Sequence, residues 1–101
     1  MAQNTIIWTQ TASKQLREVL SFWNKRAHSN RFSNKLLDKI DQRLTLVASF
    51  PPEHPQSSLP EVRVAAMNHY SLFFKVKGDR IMIIAFWDNR QDPKKLLDIL
   101  K

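Results

Sequence analysis

Apolar residues along this chain switch between a spacing of two and a spacing of three or four, and the switches lay out its elements. Ile6, Ile7 and Trp8 form a short apolar run that predicts a strand from Thr5 to Trp8. Thr9 follows where a helix N-cap belongs. Ala12, Leu16, Val19, Leu20, Trp23 and Ala27 then recur at helical spacing, while Lys14, Arg17, Glu18, Lys25 and Arg26 fall largely elsewhere, as in an amphipathic helix. His28-Ser29-Asn30 breaks it, and Ser29 or Asn30 supplies the cap of a second helix. Phe32, Leu36, Leu37, Ile40, Leu44, Val47 and Ala48 are its expected inward set, and the two helices make an antiparallel hairpin. Pro51-Pro52 ends the second helix, because Pro51 pushes Phe50 out of helical geometry and neither proline carries an N–H. The proline-rich segment through Pro60 has no period and reads as a stiff crossover.

The period then becomes two. Val62, Val64 and Ala66 alternate with Arg63, Ala65 and Met67 in a strand from Glu61 to Met67, and Asn68-His69 turns the chain. Leu72, Phe74 and Val76 alternate with Ser71, Phe73, Lys75 and Lys77 before Gly78-Asp79 turns it again. Ile81 to Trp87 is a nearly unbroken apolar run, which predicts a central strand covered on both faces. Its exit carries Trp87, Asp88, Asn89 and Arg90, aromatic and polar groups at the rigid edge of a sheet, where a site is expected. Asp92 as N-cap, Pro93 at the first helical position and Leu96, Leu97 and Leu100 predict a short closing helix.

At 101 residues the chain predicts one domain, residues 1–101, with a modest core. It contains no cysteine, so a disulfide framework and a thiolate metal site are excluded and a reducing cytosol fits. The first residues lack the basic start and apolar core of a signal peptide, and no run approaches the ~20 apolar residues of a membrane span. A cytoplasmic protein is therefore expected. Charge changes the picture most: 16 Lys and Arg against 9 Asp and Glu leave +7 on a small domain. The resulting isoelectric point near 10.2 predicts an anionic partner, either nucleic acid or an acidic protein.

The order strand, helix, helix, three-stranded meander and terminal helix resembles the RelE/ParE superfamily of toxins from bacterial type II toxin–antitoxin modules, also called plasmid-stabilisation proteins. The resemblance is carried by Trp8-Thr9 before the first helix, Leu46-Val47-Ala48-Ser49-Phe50-Pro51 at the end of the second, and Val62-Arg63-Val64. It is strongest in Tyr70-Ser71-Leu72-Phe73-Phe74-Lys75-Val76 with Gly78-Asp79-Arg80, and in Arg90-Gln91-Asp92-Pro93-Lys94-Lys95-Leu96. It implies an α+β fold, β-α-α-β-β-β-α, with an N-terminal helical hairpin packed on a mainly antiparallel sheet. It also implies a growth inhibitor silenced by a cognate antitoxin. Members divide between ribosome-dependent cleavage of mRNA and poisoning of DNA gyrase, so the fold does not decide the target.

The two activities ask different things of the side chains. Cleaving RNA through its own 2′-hydroxyl needs a proton acceptor, cations on the phosphate and a donor for the leaving oxygen, and no metal. Arg63, His69 and Arg90 are the candidates for those roles, with Tyr70 and Lys75 beside them and Trp87 or Phe73 as stacking surfaces for a base. Each also has an ordinary reading: His69 as a solvated turn residue, Tyr70 as half-buried packing, Lys75 as the charge that blunts an edge. The chain departs from the mRNA-cleaving pattern in having Ala65-Ala66-Met67 before the turn, Ser71 where arginine is frequent, and neither His nor Tyr after Arg90. Binding without chemistry needs only a surface. Lys35, Lys39 and Arg43 repeat every four residues opposite the apolar face of the second helix, one turn beyond Arg31 and diluted by Asp38 and Asp41. Tyr70, Lys75 and Trp87 join them as candidate contacts for target or partner, and the gyrase-directed branch is the favoured expectation. A non-toxic nucleic-acid-binding module is the remaining alternative.

Other chemistry is poorly served. His28, His54 and His69 sit in three separate loops without ligand spacing, so no metal site and no cofactor is expected. The single glycine, Gly78, rules out a glycine-rich phosphate cradle. The expected partner is an antitoxin whose toxin-binding arm is acidic, ordering over the helical hairpin and a basic sheet face that carries Arg63 and Lys75.

Overall fold

The computed structural model describes residues 5–49, 62–92 and 94–96. Its elements are β1 (Thr5–Trp8), α1 (Gln10–Ala27), α2 (Arg31–Ser49), β2 (Arg63–Met67), β3 (Tyr70–Lys77) and β4 (Arg80–Asp88). The strands form one sheet in the order β1-β4-β3-β2. β1 runs parallel to β4, and the other two pairings are antiparallel. Both helices cover the same face, where Leu36, Ile40 and Val47 of α2 and Ala12 of α1 meet Ala65, Leu72, Phe74, Ile81, Ile83 and Phe86. On the other face Val62, Phe73, Ala85 and Trp87 form a smaller cluster with Leu96 against it.

Local chemistry explains the joints. The Thr9 hydroxyl accepts from the Ala12 N–H at 3.2 Å, capping α1, and donates to the Ile83 carbonyl at 2.9 Å, which ties the helix start to β4. His28 ends α1 in the left-handed region at φ 51°, and the Ser29 hydroxyl accepts from the Arg31 N–H at 3.1 Å at the start of α2. Both hairpins close on two residues, with Asn68 at φ 59° and Gly78 at φ 60°, residue types that accept positive φ. The Asp92 carboxylate accepts from the Lys94 N–H at 3.0 Å, and residues 94–96 are helical. The proline crossover, the stop at Pro51-Pro52, Pro93, Leu97 and Leu100 lie outside the described residues, as does Glu61 at the expected start of β2.

Two details differ from the periodicity reading. Phe32 and Leu37 are each 39% exposed, because the inward stripe of α2 is centred on Ser33, Leu36, Ile40 and Val47 and leaves both on its flanks. Ser33 replaces an apolar contact where the helices approach, its hydroxyl donating to Asn24 Oδ1 at 2.6 Å. The apolar run in β4 conceals a change of parity. Phe73 pairs with Ala85 but Phe74 pairs with Ile83, so Ile84 is an extra residue, a β-bulge. Ile81 and Ile83 before it, and Phe86 after it, therefore all reach the helix-covered core.

β1 ends opposite Ile83, which leaves the far half of β4 without a strand neighbour on that side among the described residues. Gln15 of α1 fills the gap, its Oε1 accepting from the Phe86 N–H at 2.8 Å. Gln15→Leu removes that acceptor and nearly preserves size, and is expected to cost about 1–3 kcal/mol, the desolvation of an unpaired N–H. Urea denaturation monitored by tryptophan fluorescence measures it. An unchanged midpoint would mean that water replaces the glutamine.

Candidate functional site

The exit of β4 is bound to the β2–β3 turn before it reaches solvent. The Asn89 N–H donates to the His69 carbonyl at 2.7 Å, and its side-chain amide donates to the Asn68 carbonyl at 3.1 Å. Asn89 Oδ1 in turn accepts from the buried Ser71 hydroxyl at 2.8 Å. The next residues are therefore held in place. Asp88 Oδ1 accepts from the Arg90 backbone N–H and from Nε, and Oδ2 accepts from Nη2, each at 2.9 Å. This is the one ion pair between described residues.

The paired guanidinium lies over the Tyr70 ring, 5.9 Å from its centroid. Tyr70 is buried and stacks on Phe86 at 5.1 Å, and its hydroxyl accepts from Trp23 Nε1 at 2.9 Å. Trp23 carries the network onto the helices, with Phe22 edge-on at 5.2 Å and Phe32 tilted against it at 4.5 Å. Between α1 and the strand exit lies a cleft of about 560 Å³ lined by Phe22, Trp23, Tyr70 and Phe86 together with Gln15, Glu18, Asp88, Arg90 and Lys95. No buried side-chain polar atom of the described residues lacks a partner.

The candidate residues divide between this place and two others. His69, Tyr70, Trp87 and Arg90 come together at the strand exit, since Tyr70 pairs with Asp88 and the turn abuts Asn89. Arg63 pairs with Phe74 at the opposite end of β2, roughly 13 Å along the strand from the turn. It shares the helix-covered face with Ala65 and Met67, whereas Lys75 pairs with Met82 on the other face with Phe73. The expected basic sheet face carrying both is corrected by this register. Lys35 and Lys39 are exposed on α2 and make no ion pair among the described residues. Arg43 leaves that stripe, its guanidinium donating to the Ala66 carbonyl of β2, the strand at the sheet edge. Gln15 and Phe22 are not singled out by the sequence, and Asp88 is marked by it only as part of the strand exit, without a role. The signal for Phe22 was its adjacency to Trp23, since neighbouring positions on a helix do not face the same way.

Residues 6–93 match the family model described as the ParE toxin of the type II toxin–antitoxin system parDE. This chain belongs to the ParE toxin family. As a ParE toxin it has a cognate antitoxin for partner. A solved structure of the chromosomal ParDE toxin–antitoxin system from P. aeruginosa shares the fold, with a TM-score of 0.69 at 19% identity over 85% of this chain and 96% of that one. A comparison with curated protein sequences found no match. No helix among the described residues is long and apolar enough to cross a membrane.

The Arg90 guanidinium bonded to Asp88 holds that carboxyl below its ordinary value of 3.8, outweighing partial burial, which acts the other way. A folded value below the unfolded one means the stabilisation is complete above the unfolded pKa and is lost as pH falls through the folded one. The stability difference between the native ParE toxin and its Asp88→Asn variant should therefore be constant near neutrality and narrow as pH falls below the carboxyl's ordinary value of 3.8. Urea midpoints across pH test this; a difference independent of pH would assign the effect of Asp88→Asn to packing alone.

Proposed function

We propose that this ParE toxin arrests growth by binding DNA gyrase without chemistry, and that its antitoxin holds it through an arm of net negative charge. The observation that carries the first part is the separation of the groups a nuclease would need. Arg63 stands at the far end of β2 from His69 and Arg90, and the Arg90 charge is already matched by Asp88. A cleavage site needs its cation at the phosphate and its proton acceptor at the adjacent 2′-hydroxyl, within reach of each other. The match to the ParE toxin family supports the same choice. The exposed Lys35 and Lys39 supply a cationic face for the target, and the net charge of +7 supports an anionic neutraliser.

Pulse-labelling of DNA and protein synthesis after induction without antitoxin tests the target. DNA synthesis is expected to fall first, and purified toxin to inhibit gyrase supercoiling. Lys35→Glu with Lys39→Glu should weaken inhibition by about tenfold or more, the loss of two cations at an interface, and Arg63→Ala should leave it unchanged. Prior collapse of protein synthesis, with loss of toxicity in Arg63→Ala, would replace this reading with mRNA cleavage.

A further inference from the structure

The outer side of α2 is a second surface, built from different chemistry. Arg31, Lys35 and Lys39 stand four residues apart along it, all exposed and in no ion pair among the described residues. Arg43 comes next and turns aside, its guanidinium tied to the Ala66 carbonyl of β2. The helix rise spaces these four positions about 6 Å apart, in a row roughly 18 Å long. The row ends in an open groove of about 330 Å³ between α2 and the end of β2, whose lining includes Lys39, Gln42, Arg43, Leu46, Met67 and Asn68. No carboxylate of the described residues lines it. Of the two acidic residues of α2, Asp41 lines a separate hollow against β1, which leaves Asp38 to offset part of the charge.

These donors suit phosphate. Lysine, arginine and side-chain amides are the groups that hold a nucleic-acid backbone, and a row of evenly spaced cations meets evenly spaced charges. No aromatic residue lines the groove, so it offers no platform for an unpaired base, which argues against a single strand. Leu46, Ala66 and Met67 give the groove apolar surface. A deoxyribose meets that surface without loss, whereas a ribose would set its 2′-hydroxyl against groups that cannot bond it. An acidic protein is served less well. Its anchoring side chains need a pocket near the centre of the interface, and here the concavity lies at one end of the row.

We propose that this face binds the backbone of duplex DNA: Arg31, Lys35 and Lys39 neutralise phosphates along one strand, and Gln42, Arg43 and Asn68 hold a further phosphate in the groove. The inference rests on the gyrase reading for the source of the DNA, which is the segment that gyrase carries. It says that the cationic face of α2 meets the nucleic acid of the target and leaves contacts with the gyrase protein to other surfaces.

Fluorescence anisotropy of the purified full chain against a short labelled DNA duplex tests it. Log affinity is expected to fall with log salt at a slope of about −3 to −4, the release of about four counterions. Lys35→Gln with Lys39→Gln should weaken binding about tenfold or more and make the slope shallower by about two, with the native urea midpoint kept. Gln42→Glu, which sets a carboxylate in the groove, should weaken it about fivefold or more. Lys14→Gln with Lys77→Gln removes the same charge from exposed positions on α1 and β3 and should change affinity less than about threefold. Equal losses in the two double variants would reduce the binding to net charge and overturn the site. Wild-type affinity in Gln42→Glu would do the same, as would duplex RNA, single-stranded RNA or polyglutamate bound as tightly as the DNA at the same salt. Gyrase supercoiling separates the two claims. A chain that inhibits gyrase yet binds no duplex overturns this inference alone, and one that binds duplex but leaves supercoiling untouched overturns the gyrase reading alone.

Discussion

One extra residue in the central strand determines where the molecule puts its aromatic side chains. Without a bulge at Ile84, strict alternation would send Phe86 to the face opposite Ile81 and Ile83 and bring Trp87 onto theirs. With it, Phe86 turns beneath Tyr70, and Trp87 joins Phe73 and Ala85 on the outer face. The same strand thus feeds two clusters, and its exit is aimed so that Asp88 presents Arg90 across the tyrosine ring. α1 completes the arrangement from the other side, through Gln15 on the Phe86 N–H and Trp23 on the Tyr70 hydroxyl.

Electrostatics gives this arrangement its direction. A chain with 16 Lys and Arg makes a single ion pair between described residues, and that pair fixes a guanidinium at the mouth of the cleft. Most other described cations lie on helix faces and strand ends, where like charges repel one another through solvent. The acidic antitoxin arm proposed above would relieve that repulsion, and the relief would be screened by salt.

Much of the fold was legible in the sequence, for a physical reason: helix and strand spacing in this chain is set by burial against one sheet. Thr9, Asp92, Asn68 and Gly78 announce their caps and turns through local chemistry. Parity in β4 was not legible, because a run in which nearly every residue is apolar carries no record of which side each one faces. Phe32 and Leu37 were assigned inward because hydrophobicity alone does not locate the centre of a helical stripe, and the buried residue there is a serine. The site was half legible. His69 and Arg90 lie close in space because of antiparallel register, and that register likewise keeps Arg63 away. Arg43 looked like part of a solvated stripe, whereas its guanidinium covers a carbonyl at the sheet edge.

The parallel pairing of β1 with β4 has a consequence for how the chain comes together. β2, β3 and β4 follow one another through two-residue turns, so their pairing closes only short loops. The bond from Thr9 to Ile83 spans 74 residues, and the chain entropy lost in closing a loop grows with its length. α1 hangs from that long-range contact, and one wall of the cleft is α1. The cleft is thus a property of the finished topology: the meander can exist before it, but the surface that α1 and β4 share requires the first strand of the chain to reach one of the last.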